Sequence, residues 1–100
     1  MFITLTSSKV TDEQAVEVES FLSEFLPRLK LEPGVLGIYH YKRPDQGDEV
    51  TAIVWENEQA VKAYRGGMLV REPIAFEQAH NLASTREGYP LIYAVSEKSE

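Results

Sequence analysis

Two imidazoles, His40 and His80, are the side chains best suited to move a proton near neutral pH in this sequence. A histidine acts as a general base when a cavity holds its ring within hydrogen-bond reach of the proton it removes. His80 follows Phe76 by four residues and precedes Ala83 by three, flanking an apolar stripe, so its ring could look into a cavity between a helix and a sheet. His40 shares a strand face with Leu36, Ile38 and Lys42, which leaves its position open. Tyr64 would add a polar contact, and Trp55, Met68 and Phe76 would make apolar walls. Each residue also has an ordinary structural role. A lone histidine is commonly solvated or hydrogen-bonded into the fold, a Trp at a strand end packs into a core or interface, and Tyr64 with Arg65 at a helix end can snorkel to the surface.

Other chemistries lack their residues. There is no cysteine, which excludes disulfides and thiolate sites. Two histidines far apart do not form a metal set, and no glycine-rich phosphate loop is present. Neither a metal nor a nucleotide is therefore expected as a cofactor. Sixteen acidic residues against ten basic ones give a net charge of -6 with no basic cluster, so nucleic acid is not an expected partner. The N-terminus lacks a signal-peptide pattern and no run of about 18 apolar residues occurs. The expectation is a soluble, cytoplasmic protein without membrane contact. At 100 residues and 43% hydrophobic content, the chain suits one domain over 1–100.

The elements that must position these residues follow from pattern. Phe2 to Thr6 alternates as a strand with β-branched Ile3, Thr4 and Thr6. Thr11 and Gln14 have capping-box spacing, and Ala15, Val18, Leu22, Phe25 and Leu29 form one apolar helical stripe. Pro27 should kink that helix or break off a short segment near Phe25 to Lys30. Glu32-Pro33-Gly34 is a turn before a strand from Val35 to Lys42, and Pro44 to Asp48 turns the chain into a strand from Val50 to Trp55. Asn57 caps a helix from Glu58 to about Arg65, which Gly66-Gly67 stops. A further helix starts around Pro73 with Ala75, Ala79 and Leu82 on one face. Gly88 then ends a turn before a last strand from Tyr89 to Val95, and Ser96 to Glu100 reads as a solvated tail.

This order gives an α+β, ferredoxin-like βαββαβ fold with a four-stranded antiparallel sheet and its helices on one face. The strands are apolar on both sides: Val35, Tyr39 and Tyr41 against Leu36 and Ile38, then Val50, Ala52 and Val54 against Ile53 and Trp55. Leu91, Tyr93 and Val95 oppose Ile92 and Ala94 in the same way. Helices cover one face only. A homodimer is expected to cover the other. Three apolar residues directly after Gly66-Gly67, Met68-Leu69-Val70, should fold over a pocket or the partner subunit.

The segments Glu32-Pro33-Gly34-Val35-Leu36-Gly37-Ile38-Tyr39 and Val50-Thr51-Ala52-Ile53-Val54-Trp55-Glu56-Asn57-Glu58-Gln59-Ala60 resemble the antibiotic biosynthesis monooxygenase-like family of dimeric α/β barrels. The first is similar to that family's Pro-Gly lead-in to its second strand. The second is similar to its strand ending in Trp before an acidic helix start. The resemblance implies a dimeric α/β barrel that acts as a cofactor-independent monooxygenase, an oxidoreductase, on a small aromatic or quinol-type substrate. His80 is then the expected base, with Trp55, Tyr64, Met68 and Phe76 as the ligand pocket. The alternative is a non-catalytic small-ligand-binding or scaffold dimer of the same fold. Haem-degrading relatives bind iron through a histidine on the corresponding helix. Here Tyr64 stands where their Trp is expected and the first strand has no asparagine, so haem binding is not expected.

Overall fold

The computed structural model describes residues 1–95. Its elements run β1 (Phe2–Lys9), α1 (Asp12–Leu29), β2 (Val35–Arg43), β3 (Asp48–Trp55), α2 (Glu58–Arg65), α3 (Arg71–Ala79) and β4 (Ser84–Pro90). The four strands form one antiparallel sheet in the order β2-β3-β1-β4. That is a ferredoxin-like α+β fold, with α2 and α3 sharing the second crossover. No helix among the described residues is long and apolar enough to cross a membrane.

The capping signals work as their chemistry requires. Thr11 Oγ1 accepts from the Gln14 backbone N–H at 3.2 Å, while Gln14 Oε1 accepts from the Thr11 N–H at 3.1 Å. Asn57 Oδ1 accepts from the Ala60 N–H at 2.9 Å and opens α2. Helix α1 does not break at Pro27. That residue lies in the exposed last turn, where proline removes a single donor while Leu29, two residues on, stays buried against the sheet. Gly34 adopts φ +85°, and a Cβ there would stand 2.5 Å from Ala60 Cβ, so only glycine lets the turn pass beneath α2.

Register sorts the sheet's side chains, because directly paired residues share a face. The helix-facing rows, read across β2, β3, β1 and β4, run Val35–Trp55–Phe2–Pro90, Ile38–Ile53–Thr4–Gly88 and His40–Thr51–Thr6–Arg86. A bulge between Val35 and Gly37 puts Val35 on this face beside Ile38, not with Tyr39 and Tyr41 as simple alternation has it. Phe25, Leu29, Val35, Ile53, Trp55 and Val61 form the core. Each such side chain, fully buried, contributes about 1.5–3 kcal/mol. The opposite face carries Tyr39, Tyr41 and Tyr89, all exposed, over buried Val50 and Ala52.

The last strand is Ser84–Pro90, not Tyr89 to Val95. The backbone of β1 dictates this: Lys9 N–H donates to Ala83 O at one end and Leu91 N–H donates to Met1 O at the other, so β1 runs out of partners beyond Leu91. Gly88 lies inside the strand rather than ending a turn, because a Cβ there would press to 2.8 Å from the Phe2 ring. The two-sided pattern of Leu91 to Val95 therefore belongs to no strand, and Ile92, Tyr93 and Val95 are largely exposed. Helix α3 begins at Arg71, two residues before Pro73, and its Ala75–Ala79 side faces solvent while Pro73, Phe76 and Glu77 face inward. The tail Ser96 to Glu100 lies outside the described residues.

Candidate functional site

Between the three helices and the sheet lies a cavity of about 100 Å³. Its roof is an aromatic ladder: Phe21 stacks on Phe25 at 5.3 Å and on Phe76 at 4.4 Å, joining α1 to α3. Its floor is the helix-facing side of the sheet, and that floor is chemically graded. At one end Trp55, Ile53, Leu29 and Val61 make an apolar pit. The one polar atom of Trp55 is satisfied, since Nε1 donates to Thr4 Oγ1 at 2.9 Å. At the other end Thr6, Thr51, His40, Glu49 and Arg86 line the wall.

Two polar groupings bound that second end. His40 sits between its cross-strand neighbours, with Nδ1 2.9 Å from Thr51 Oγ1 and Nε2 2.6 Å from Glu49 Oε1. The His40 side chain keeps 26% of its surface exposed and Glu49 keeps 14%, so the pair stands at the cavity mouth rather than in the core. Arg86 donates to both Glu77 carboxylate oxygens, at 3.0 and 2.7 Å, and so ties β4 to α3. Tyr64 joins the two ends. Its ring packs 5.5 Å from Trp55, and burial pushes its phenol up to about 12, against a smaller downward pull from Arg86. At neutral pH the phenol of this cavity-lining residue is protonated, with a hydrogen it can donate to an acceptor oxygen.

The residues singled out in the sequence divide. Trp55, Tyr64 and Phe76 line the cavity together. Met68 does not; it is 72% exposed, while its neighbour Val70 is buried and turns into the wall. His80 does not line the cavity either. It caps the end of α3, stacks 4.2 Å from Phe76 at the outer end of the ladder, and places Nδ1 2.8 Å from Glu17 Oε2. The imidazole in the wall is His40, brought there by the hairpin register together with Glu49 and Thr51. The signal for it lay in the turn length, since residues equidistant from a hairpin turn face each other across it.

Family and fold relationships agree with this geometry. The model of the antibiotic biosynthesis monooxygenase family matches residues 1–84. The chain belongs to that family. No curated protein matches it in sequence. Among solved structures, a Deinococcus radiodurans protein assigned to the antibiotic biosynthesis monooxygenases superposes with a TM-score of 0.84 at 18% identity, over 99% of this chain and 100% of that one. SnoaB, a cofactor-independent oxygenase from Streptomyces nogalater, gives 0.76 at 15% identity over 96% and 97%. The haem degrader MhuD of Mycobacterium tuberculosis, solved with two haems in its active site, gives 0.74 at 16% over 96% and 100%. At these identities the structural likenesses establish the family's fold; substrates do not transfer with it.

Proposed function

We propose that this family member is a cofactor-independent monooxygenase acting on a small aromatic or quinol-type substrate. The observation that carries the reading is the graded, half-open cavity, which offers an apolar end for one aromatic ring of a substrate and a histidine–glutamate pair at the end where a substrate's acidic hydrogen would lie. Cofactor-free oxygenation needs little more from a protein. It must exclude water, orient an electron-rich ring and remove one proton so that the carbanion can react with dioxygen. A ring methylene then becomes a ketone, with one oxygen atom retained and the other released as water. His40 is the base in this reading, in place of His80, because His40 is the imidazole in the wall. Glu49 holds the ring and balances the positive charge it gains. SnoaB, of the same fold, supports the reaction class.

Haem does not fit the residues of this cavity. Both nitrogens of His40 are engaged by Glu49 and Thr51, and His80 lies outside the lining with Nδ1 held by Glu17. No step is assigned to it.

The working unit in this reading is a homodimer. Tyr39, Tyr41 and Tyr89 on the outer sheet face, together with Leu36, Ile92 and Tyr93, expose more large apolar side chains than a monomer of this size usually leaves in water. Sedimentation equilibrium should give twice the chain's 11.3 kDa; a folded monomer at all concentrations would refute it. Oxygen uptake with 1,8-dihydroxyanthrone, a naphthol and a quinol tests the chemistry. We expect acceleration over autoxidation with at least one of them. Binding without any acceleration would instead identify a ligand-binding or scaffold dimer.

A further inference from the structure

We infer that Thr51, rather than the His40 ring itself, is the group that touches the reacting hydrogen, and that it relays the proton to His40. The inference rests on the oxygenase reading above and deepens it. Its basis is the donor and acceptor arithmetic of the wall. An ionised Glu49 carboxylate can only accept, so at 2.6 Å the hydrogen between it and His40 sits on Nε2. A neutral imidazole carries one hydrogen. Nδ1 is then bare, and at 2.9 Å it accepts from the Thr51 hydroxyl. Both ring nitrogens are thereby occupied by protein, and neither is open to a ligand. The remaining lone pairs of Thr51 Oγ1 are available to one, because Thr51 also lines the cavity.

The position of Thr51 fits this role. It sits on central strand β3, flanked in its row by His40 on β2 and Thr6 on β1, with Arg86 beyond on β4. His40 lies one strand outward, about 4.8 Å away along the sheet. A ligand lying against Ile53 and Trp55 in the pit therefore meets the Thr51 hydroxyl before it meets the imidazole at the mouth. The steps balance. A substrate C–H bond breaks and its proton goes to Thr51 Oγ1 as the Thr51 hydrogen passes to Nδ1, while the electron pair stays on carbon. The carbanion reduces dioxygen and forms a C–O bond to give a peroxide anion. That anion recovers the proton from His40 through Thr51, and the hydroperoxide loses water to leave the ketone.

Two measurements on the full chain test the relay. Imidazole ¹⁵N NMR, with the His40 resonances identified by their loss in His40→Asn, should show Nε2 protonated and Nδ1 bare but hydrogen-bonded. Thr51→Val should move Nδ1 toward an unbonded shift, and Thr51→Ser should restore it. An Nδ1-protonated ring, or no change in Thr51→Val, would overturn the inference. With 1,8-dihydroxyanthrone as the probe, Thr51→Val should lower kcat about 100-fold with KM nearly unchanged, and Thr51→Ser should recover most of it. Wild-type kcat in Thr51→Val would overturn the relay while leaving His40 as the base. No turnover by the wild-type protein would overturn the oxygenase reading and the relay with it, whereas turnover that Thr51→Val leaves unchanged overturns the relay alone.

Discussion

The two ends of the cavity floor are built from the same strands, a few residues apart, and do different work. The Trp55 end is apolar: Trp55, Leu29 and Val61 line the cavity with almost no surface exposed to solvent, and the single polar contact there, Trp55 to Thr4, is internal. The His40 end is polar and half open, with a row of hydroxyl, imidazole and guanidinium groups that a core has no use for. Stability resides at the first end. At the second, side chains that could have been valines are instead groups chemically able to bind and move protons, a local departure from core-building rules of the kind functional sites display.

The sharpest way to break this comparison is to substitute one residue at each end. Trp55→Ala removes the largest buried side chain and leaves Thr4 without its donor, so we expect a loss of about 3–5 kcal/mol, read as a lower urea midpoint. Thr6→Val, in the polar row, should change stability by less than about 1 kcal/mol. Comparable losses at both sites would mean that the polar row is simply part of the core.

A smaller effect comes from Tyr64, where the two ends meet. Its phenol is held up to about 12 in the fold, against about 10 in an unfolded chain. The folded state therefore keeps a proton that the unfolded state gives up. The stabilisation is complete below pH 10 and declines as pH rises from about 10 to about 12. Ultraviolet titration should show a late tyrosine step that Tyr64→Phe removes; a Tyr64 that ionises along with the exposed tyrosines would contradict its burial.

Much of the fold was legible because its signals are local. The Thr11–Gln14 box, the Asn57 cap and the Pro33-Gly34 turn are each written within a few residues. The site was harder because it depends on register. A five-residue turn from Pro44 to Asp48 would set His40 opposite Ala52, whereas the actual turn, Pro44 to Gly47, sets it opposite Thr51 and beside Glu49. A one-residue slip exchanges the faces of a strand. Strand β4 was hidden for another reason. Ser84-Thr85-Arg86-Glu87-Gly88 carries no apolar alternation, because its inner face looks onto the polar end of the cavity and it pairs with β1 alone. The aromatic and aliphatic run after it looked more like a strand than the strand did. His80, in turn, had the right spacing from Phe76 but fell one step past the helix end, where the ring folds back on Phe76 and Glu17.

The two histidines give the most direct test of where the chemistry resides. Oxygen consumption with the best anthrone, naphthol or quinol substrate should be compared among wild type, His40→Asn and His80→Asn at equal folded concentration. We expect His40→Asn to lower kcat by about 10²–10⁴-fold, the range of a lost general base, while His80→Asn stays near wild type. Retained turnover in His40→Asn, with loss in His80→Asn, would contradict the assignment of the site to the polar end of the cavity.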